Sequence, residues 1–226
     1  MADAGHGRKK EKYNGRPAPS SPLTLEALRD VLSSEYKGPR AVFSEIHVLK
    51  AILAIGAAGA VGRGKLGSLV GLGQGEVRTL IKRLKENDLI LIQPDGCRLS
   101  RKGEREFQRL REKIPWSSSV EARSLGIGVK CAAVLVRGAG RSVRKGIEQR
   151  DAAVRAGAIG AFTALFANGR FIIPGEGVDC EKDGPRGLWS AARAEVPREG
   201  DVLIVVGADS DEAAELGTLA AALTLF

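Results

Sequence analysis

Residues 62–103 read GRGKLGSLVGLGQGEVRTLIKRLKENDLILIQPDGCRLSRKG. In order, this stretch predicts a short helix (65–70), a turn punctuated by Gly71, Gly73 and Gly75, and a second helix (76–86). A strand (89–92), a Pro94-Asp95-Gly96 turn, a return strand (97–99) and a helix cap at Ser100 follow. That succession is a winged helix-turn-helix: a narrow helix beside a projecting hairpin, the shape that enters a DNA major groove and meets its flanking phosphates.

The second helix carries the clearest periodicity in the chain. Val77, Leu80, Ile81 and Leu84 fall at i, i+3, i+4 and i+7, so that face is core. Arg78, Lys82 and Lys85 lie round the helix from them, flanked by Thr79 and Arg83. This set is expected to face DNA. Phosphate contacts supply most affinity in such a mode, and Arg78 is the base-reading candidate because a guanidinium bonds guanine bidentately. Arg98 and Lys102 on the wing side, and Arg63 and Lys65 at the first motif helix, are expected to meet the neighbouring backbone.

Upstream, a helix from Thr24 to about residue 34 presents Leu25, Leu28 and Leu32. A second, from Ser44 to about residue 54, presents Ile46, Leu49 and Leu53 and is expected to break at Gly56 and Gly59. Residues 1–22 are polar, hold Arg8, Lys9, Lys10 and Lys12, and end in prolines, the composition of a disordered basic arm. Such an arm suits a minor groove or binding without sequence preference. After the wing, Ser100 opens a helix striped with Phe107, Leu110 and Ile114 and stopped by Pro115; its stripe makes it the first candidate for a dimer contact.

The remainder changes rhythm. Ser117, Ser118 and Ser119 mark residues 116–124 as an interdomain linker between a winged-helix domain (23–115) and a second domain (125–226). In the second, strands at 126–136, 158–166, 170–173 and 201–206 alternate with helices at 142–157, 184–194 and from Ser210 onward. Asn168-Gly169 turns one hairpin. The fold class is therefore α+β: a winged helix followed by a two-layer α/β sandwich, ferredoxin-like or related, on a mostly antiparallel sheet.

Charge follows the same division. Residues 1–118 carry 22 Lys and Arg against 13 Asp and Glu, whereas residues 119–226 carry 13 against 14. A basic half on a near-neutral half is what a polyanion-binding module fused to a globular domain presents. The three cysteines are scattered, with no CxxC, and no secretory pattern opens the chain, so a reduced, cytoplasmic protein is expected. The longest apolar run, residues 52–61, falls short of the ~20 residues a membrane span needs. His6 and His47 lie far apart without cysteine or carboxylate spacing around them, so no structural zinc and no cofactor are expected.

The residues Gly73-Gln74-Gly75-Glu76-Val77-Arg78-Thr79-Leu80, with Arg98-Leu99-Ser100-Arg101-Lys102-Gly103, resemble archaeal winged-helix regulators. Arg150-Asp151-Ala152-Ala153, residues 156–161 and Phe171-Ile172-Ile173-Pro174 are similar to the C-terminal half of an archaeal family. That family joins a winged helix to a domain of unknown function of the 4443 type. The resemblance implies a two-domain transcription regulator and brings no ligand and no functional residues.

Three features of the second half invite a ligand. Residues 137–142 place glycines and Arg141 between a strand and a helix, a position that suits an anion, although Val143 breaks GxGxxG and no P-loop ending follows; a simple basic turn is the alternative. Asp151 lies between Ile147 and Val154 on the apparent apolar stripe of its helix. It either pairs with Arg150 or Arg155 or faces a ligand pocket. Arg141, Arg150 and Asp151 are thus the candidate site for a small anionic effector. Glu176, Asp179, Glu181 and Asp183 share a glycine-rich loop, where solvated acidity is the default and a loose cation site the alternative. No Ser-His-Asp set or paired carboxylates stand out, so enzymatic activity is not expected.

The function expected is a homodimeric DNA-binding transcription regulator on double-stranded DNA, with residues 125–226 sensing an effector or dimerising and with coupling through residues 116–124. An enzyme with its active site in residues 125–226, or a protein-interaction module, is the alternative.

Overall fold

The structure is a computed structural model that describes residues 23–33 and 43–226. The expected basic arm lies outside the described residues. Helices α1 (Leu23–Ser33), α2 (Glu45–Ala58), α3 (Arg63–Val70) and α4 (Gln74–Glu86) precede the hairpin β1 (Ile90–Gln93) and β2 (Gly96–Leu99) and helix α5 (Arg101–Lys113). These form one apolar core around Leu49, Ile52, Leu66, Leu80, Leu84 and Leu110. The winged-helix order holds, with α3 and α4 each starting two residues earlier than the sequence suggests.

Helix α2 does not break at Gly56 but runs to a C-cap at Gly59. Gly56 is needed for packing: a Cβ there would overlap the Phe107 ring of α5. The α2–α5 contact therefore keeps a helix-weakening residue inside a helix. Gly71 ends α3 in the left-handed conformation (φ 73°), and its bare Cα admits the carboxylate of Glu212 from the far end of the chain. Ser100 caps α5 as expected, its Oγ accepting from Lys102 N and Gly103 N.

The second unit comprises β3 (Trp116–Val120), β4 (Lys130–Val136), α6 (Ile147–Arg155), β5 (Gly160–Ala167), β6 (Arg170–Ile172), α7 (Arg186–Ala194), β7 (Val202–Ala208) and α8 (Asp211–Leu223). The sheet runs β3-β4-β7-β5-β6, antiparallel throughout. β4 and β5 are parallel to each other with β7 between them, a split βαβ closed by α6. Both neighbours shield β7, and every residue of it is buried. Alternation then divides its side chains. Val202, Ile204 and Val206 meet α6 and α8, while Leu203 and Val205 meet Leu188, Trp189 and Ala192 of α7 on the other face.

Residues 116–124 are not a linker. Trp116–Val120 pairs along β4 as the sheet's edge strand, and a 3-10 turn, Arg123–Leu125, follows. The serine run reads as a loop, yet on an edge strand its exposed polar side chains are ordinary. The two units meet instead through α8. Leu219 is buried in the winged-helix core with Leu223 and Phe226 packed against it, while Ala221, Ala222 and Leu225 belong to the sheet core. Lys50 of α2 bridges to Glu215 of α8 at 2.8 Å. Ile114, at the end of α5, also enters the sheet core, and Lys113 and Arg137 exchange backbone and side-chain hydrogen bonds at 2.8 Å. The α5 stripe expected to dimerise is thus taken up within the chain: Phe107 and Leu110 in one core, Ile114 in the other.

Candidate nucleic-acid interface

Helix α4 divides as its periodicity requires. Val77, Leu80, Ile81 and Leu84 are buried, and Arg78, Lys82 and Lys85 are exposed. The N-terminus of α4 is fixed by Gly73, whose N–H donates to Glu76 Oε2 at 2.9 Å. Between α4 and the wing runs a groove of about 580 Å³. Arg63 from α3 and Arg78, Lys82 and Lys85 from α4 stand around it, and Ile81, Ile92 and Cys97 supply its apolar lining. Four cations from two helices therefore converge on one surface concavity. Lys82 also lies 3.8 Å from Glu86 across one helical turn, an exposed pair of the weakly stabilising kind.

The other proposed contacts divide. Lys65 is exposed on α3 outside the groove lining. Thr79 is half-buried and donates its Oγ1 hydrogen to Gly75 O within α4 (3.1 Å). Arg83 is a correction: it is 4% exposed and cannot face a duplex. Its guanidinium crosses to α1, donating to Leu32 O (3.0 Å) and Val31 O (3.3 Å) and lying 5.5 Å from the Phe43 ring centroid. The last carbonyls of a helix lack intrahelical partners and attract cations, and α1 recruits Arg83 for that purpose.

Lys102 is half-buried and donates to Asn87 O at 3.1 Å, serving the C-terminus of α4. Arg98 is exposed, but it binds Asp95 across the wing turn. The Arg98 hydrogen bond holds the Asp95 carboxyl below its usual range, and Asp95 raises Arg98 in turn. The wing tip thus carries a neutralised pair, and the exposed cations that line the groove lie on α3 and α4.

The expected effector residues are not brought together. Arg141 sits on a 3-10 turn, Gly140–Ser142, separate from α6, which starts only at Ile147. Arg150 and Asp151 form a neighbouring ion pair at 3.2 Å, with both side chains at least half exposed. The apolar stripe that placed Asp151 inward is itself outward: Ile147 and Val154 are 53% and 45% exposed. The buried face of α6 is instead Gln149 and Ala153, with Gln149 Nε2 donating to Thr224 Oγ1 at 2.7 Å.

The glycine loop at 137–142 does hold an anion, but one belonging to the chain. The Asp201 carboxylate, 2% exposed, accepts from Arg137 Nη1 (2.6 Å), Gly138 N (2.9 Å) and Arg198 N (2.8 Å). Asp201 escaped notice because its partner lies 64 residues away. The acidic loop is likewise structural. Glu181 accepts from Phe171 N at 2.9 Å and from Arg193 at 2.6 and 2.8 Å, and Arg193 holds its carboxyl below the usual range. Among the described residues no group of three or more His, Cys, Asp or Glu side chains is placed to hold a metal ion. Among them too, no helix is long and apolar enough to cross a membrane.

A search of curated proteins finds no match to the chain. Among solved structures, a hypothetical protein from Pyrococcus horikoshii OT3 shares the fold. Its TM-score is 0.61 at 22% sequence identity, over 81% of this chain and 92% of the other. That likeness spans both units of the molecule. Residues 127–225, which run from β4 through α8, match the family described as a domain of unknown function (DUF4443), in keeping with the archaeal resemblance of the sequence.

Proposed function

We propose that this protein is a DNA-binding transcription regulator whose winged helix engages duplex DNA through α4. One observation carries the reading: Arg63, Arg78, Lys82 and Lys85 converge on a single concavity between α4 and the wing. Arg78, Lys82 and Lys85 stand on a helix pinned from behind by Val77, Leu80 and Leu84, so these cations are presented by a rigid element, with Arg63 beside them on α3. Apolar lining beneath a cationic rim suits the sugar and phosphate faces of a nucleic-acid strand. Arg78, near the start of α4, is the side chain best placed to reach a base edge.

The sheet domain is the regulatory half in this reading. It shares α8 with the winged helix, so a change in the sheet domain reaches the DNA-facing helix through a packed core and not through a hinge. A homodimer would carry two such heads to half-sites about 34–36 Å apart or a multiple of that. Selection of bound fragments from a pool of genomic duplex DNA tests the proposal. The native chain is expected to enrich discrete sites, and the Arg78→Ala, Lys82→Ala variant to lose them. Equal recovery by both proteins would overturn the assignment of α4.

A further inference from the structure

A second concavity, of about 620 Å³, lies where the two units join. Ile46 and His47, from the first turn of α2, form one side. Ala152 and Arg155 of α6, with Leu216 of α8, form the other. Its size falls within the range of small-molecule sites, which occur preferentially at domain joints and combine apolar walls with a few polar groups.

Two donors stand among those walls. The backbone N–H of Ser44 donates to His47 Nδ1 at 3.1 Å, and Ser44 Oγ lies 3.0 Å from the same atom. Nδ1 is therefore the acceptor nitrogen, and the ring proton sits on Nε2. Burial lowers the His47 pKa, with Lys50 acting in the same direction against Glu76 and Glu212, which favours the neutral ring. Two of the nearby charges have partners: Lys50 pairs with Glu215, and Glu76 accepts from Gly73 N. Arg155 has no counter-ion among the described residues, because Asp151, one turn before it, pairs with Arg150.

We propose that this cleft binds a small organic carboxylate, with Arg155 as its counter-ion, His47 Nε2–H as a second donor, and Ile46 and Leu216 against its apolar body. One cation and one neutral donor suit a monoanion; a phosphate would need more positive charge. The occupant would touch α2 of one unit and α6 and α8 of the other, and so strengthen their contact. The inference goes beyond the nucleic-acid reading, and its test contains no DNA, so either can fail alone.

The test is a chemical-shift titration of the full chain with benzoate, and with benzamide as its uncharged twin. Benzoate is expected to move the His47 and 152–157 resonances saturably, with benzamide about tenfold weaker or more. Arg155→Ala is expected to reduce benzoate to the level of benzamide, and Arg186→Ala, exposed on α7 outside the cleft, to leave it unchanged. Absence of a saturable benzoate shift, or undiminished binding by Arg155→Ala, would overturn the proposal.

Discussion

Helix α4 and the loop at 137–142 are both arginine-bearing segments beside glycine turns, and each reads in sequence as a place for an anion. Their fates are opposite. The loop folds its Arg137 and Gly138 amide onto Asp201, a buried carboxylate of the same chain. Helix α4 leaves Arg78, Lys82 and Lys85 at the surface beside Arg63. A basic residue reports a partner only after the chain's own carboxylates and helix ends have been satisfied. Arg83 makes the point within one helix: the last carbonyls of α1 claim it, while its neighbours Lys82 and Lys85 stay exposed.

Perturbing each side separates the two cases. The largest effect on stability is expected from Asp201→Ala, which takes the buried carboxylate from Arg137 and leaves the amides of Gly138 and Arg198 without their acceptor. Removing one member of a buried pair costs about 3–5 kcal/mol. Urea unfolding should show that loss as a lower midpoint at unchanged slope. Gly56→Ala comes next: its methyl collides with the Phe107 ring, and overpacking of this kind costs about 1–3 kcal/mol, measurable as a fall in Tm.

Arg83→Met should destabilise by about 1–2 kcal/mol through the lost hydrogen bonds to α1 while leaving the salt dependence of DNA binding unchanged. Lys85→Ala should do the reverse, with stability unchanged within about 0.5 kcal/mol. The smallest effect is electrostatic. Arg193 holds Glu181 below its ordinary 4.5, so their pairing stabilises the fold above that pH. The contribution is lost as pH falls through the lowered folded value. Glu181→Gln should flatten that part of the pH–stability curve by less than about 1 kcal/mol, since the pair is partly solvated.

The winged helix was legible because its signals are local. Four apolar residues at helical spacing, a Pro-Asp-Gly turn and a serine cap each act within a few residues. What escaped depends on distant partners. The edge strand at Trp116–Val120 takes its identity from pairing with β4, and its serines alone look like a connector. Gly56 reads as a helix stop until Phe107, 51 residues on, is packed over it. The Ile147–Val154 stripe misled because the buried side of α6 is set by a glutamine and an alanine, Gln149 and Ala153. Most consequentially, the joint between the units lies in α8, at the far end of the chain from the winged helix it helps to fill. For the candidate interface, Arg78, Lys82 and Lys85 were legible as cations on one helix and Arg63 as one near the start of another, and burial removed Arg83.

The most direct measurement is the affinity for duplex DNA as a function of salt, for the native chain and for the Arg78→Ala, Lys82→Ala, Lys85→Ala variant. The native protein should lose affinity linearly in log–log form, with a slope near −0.9 for each phosphate neutralised. The variant should be shallower by about two to three contacts at unchanged stability. A native slope near zero, or identical slopes for the two proteins, would contradict the account.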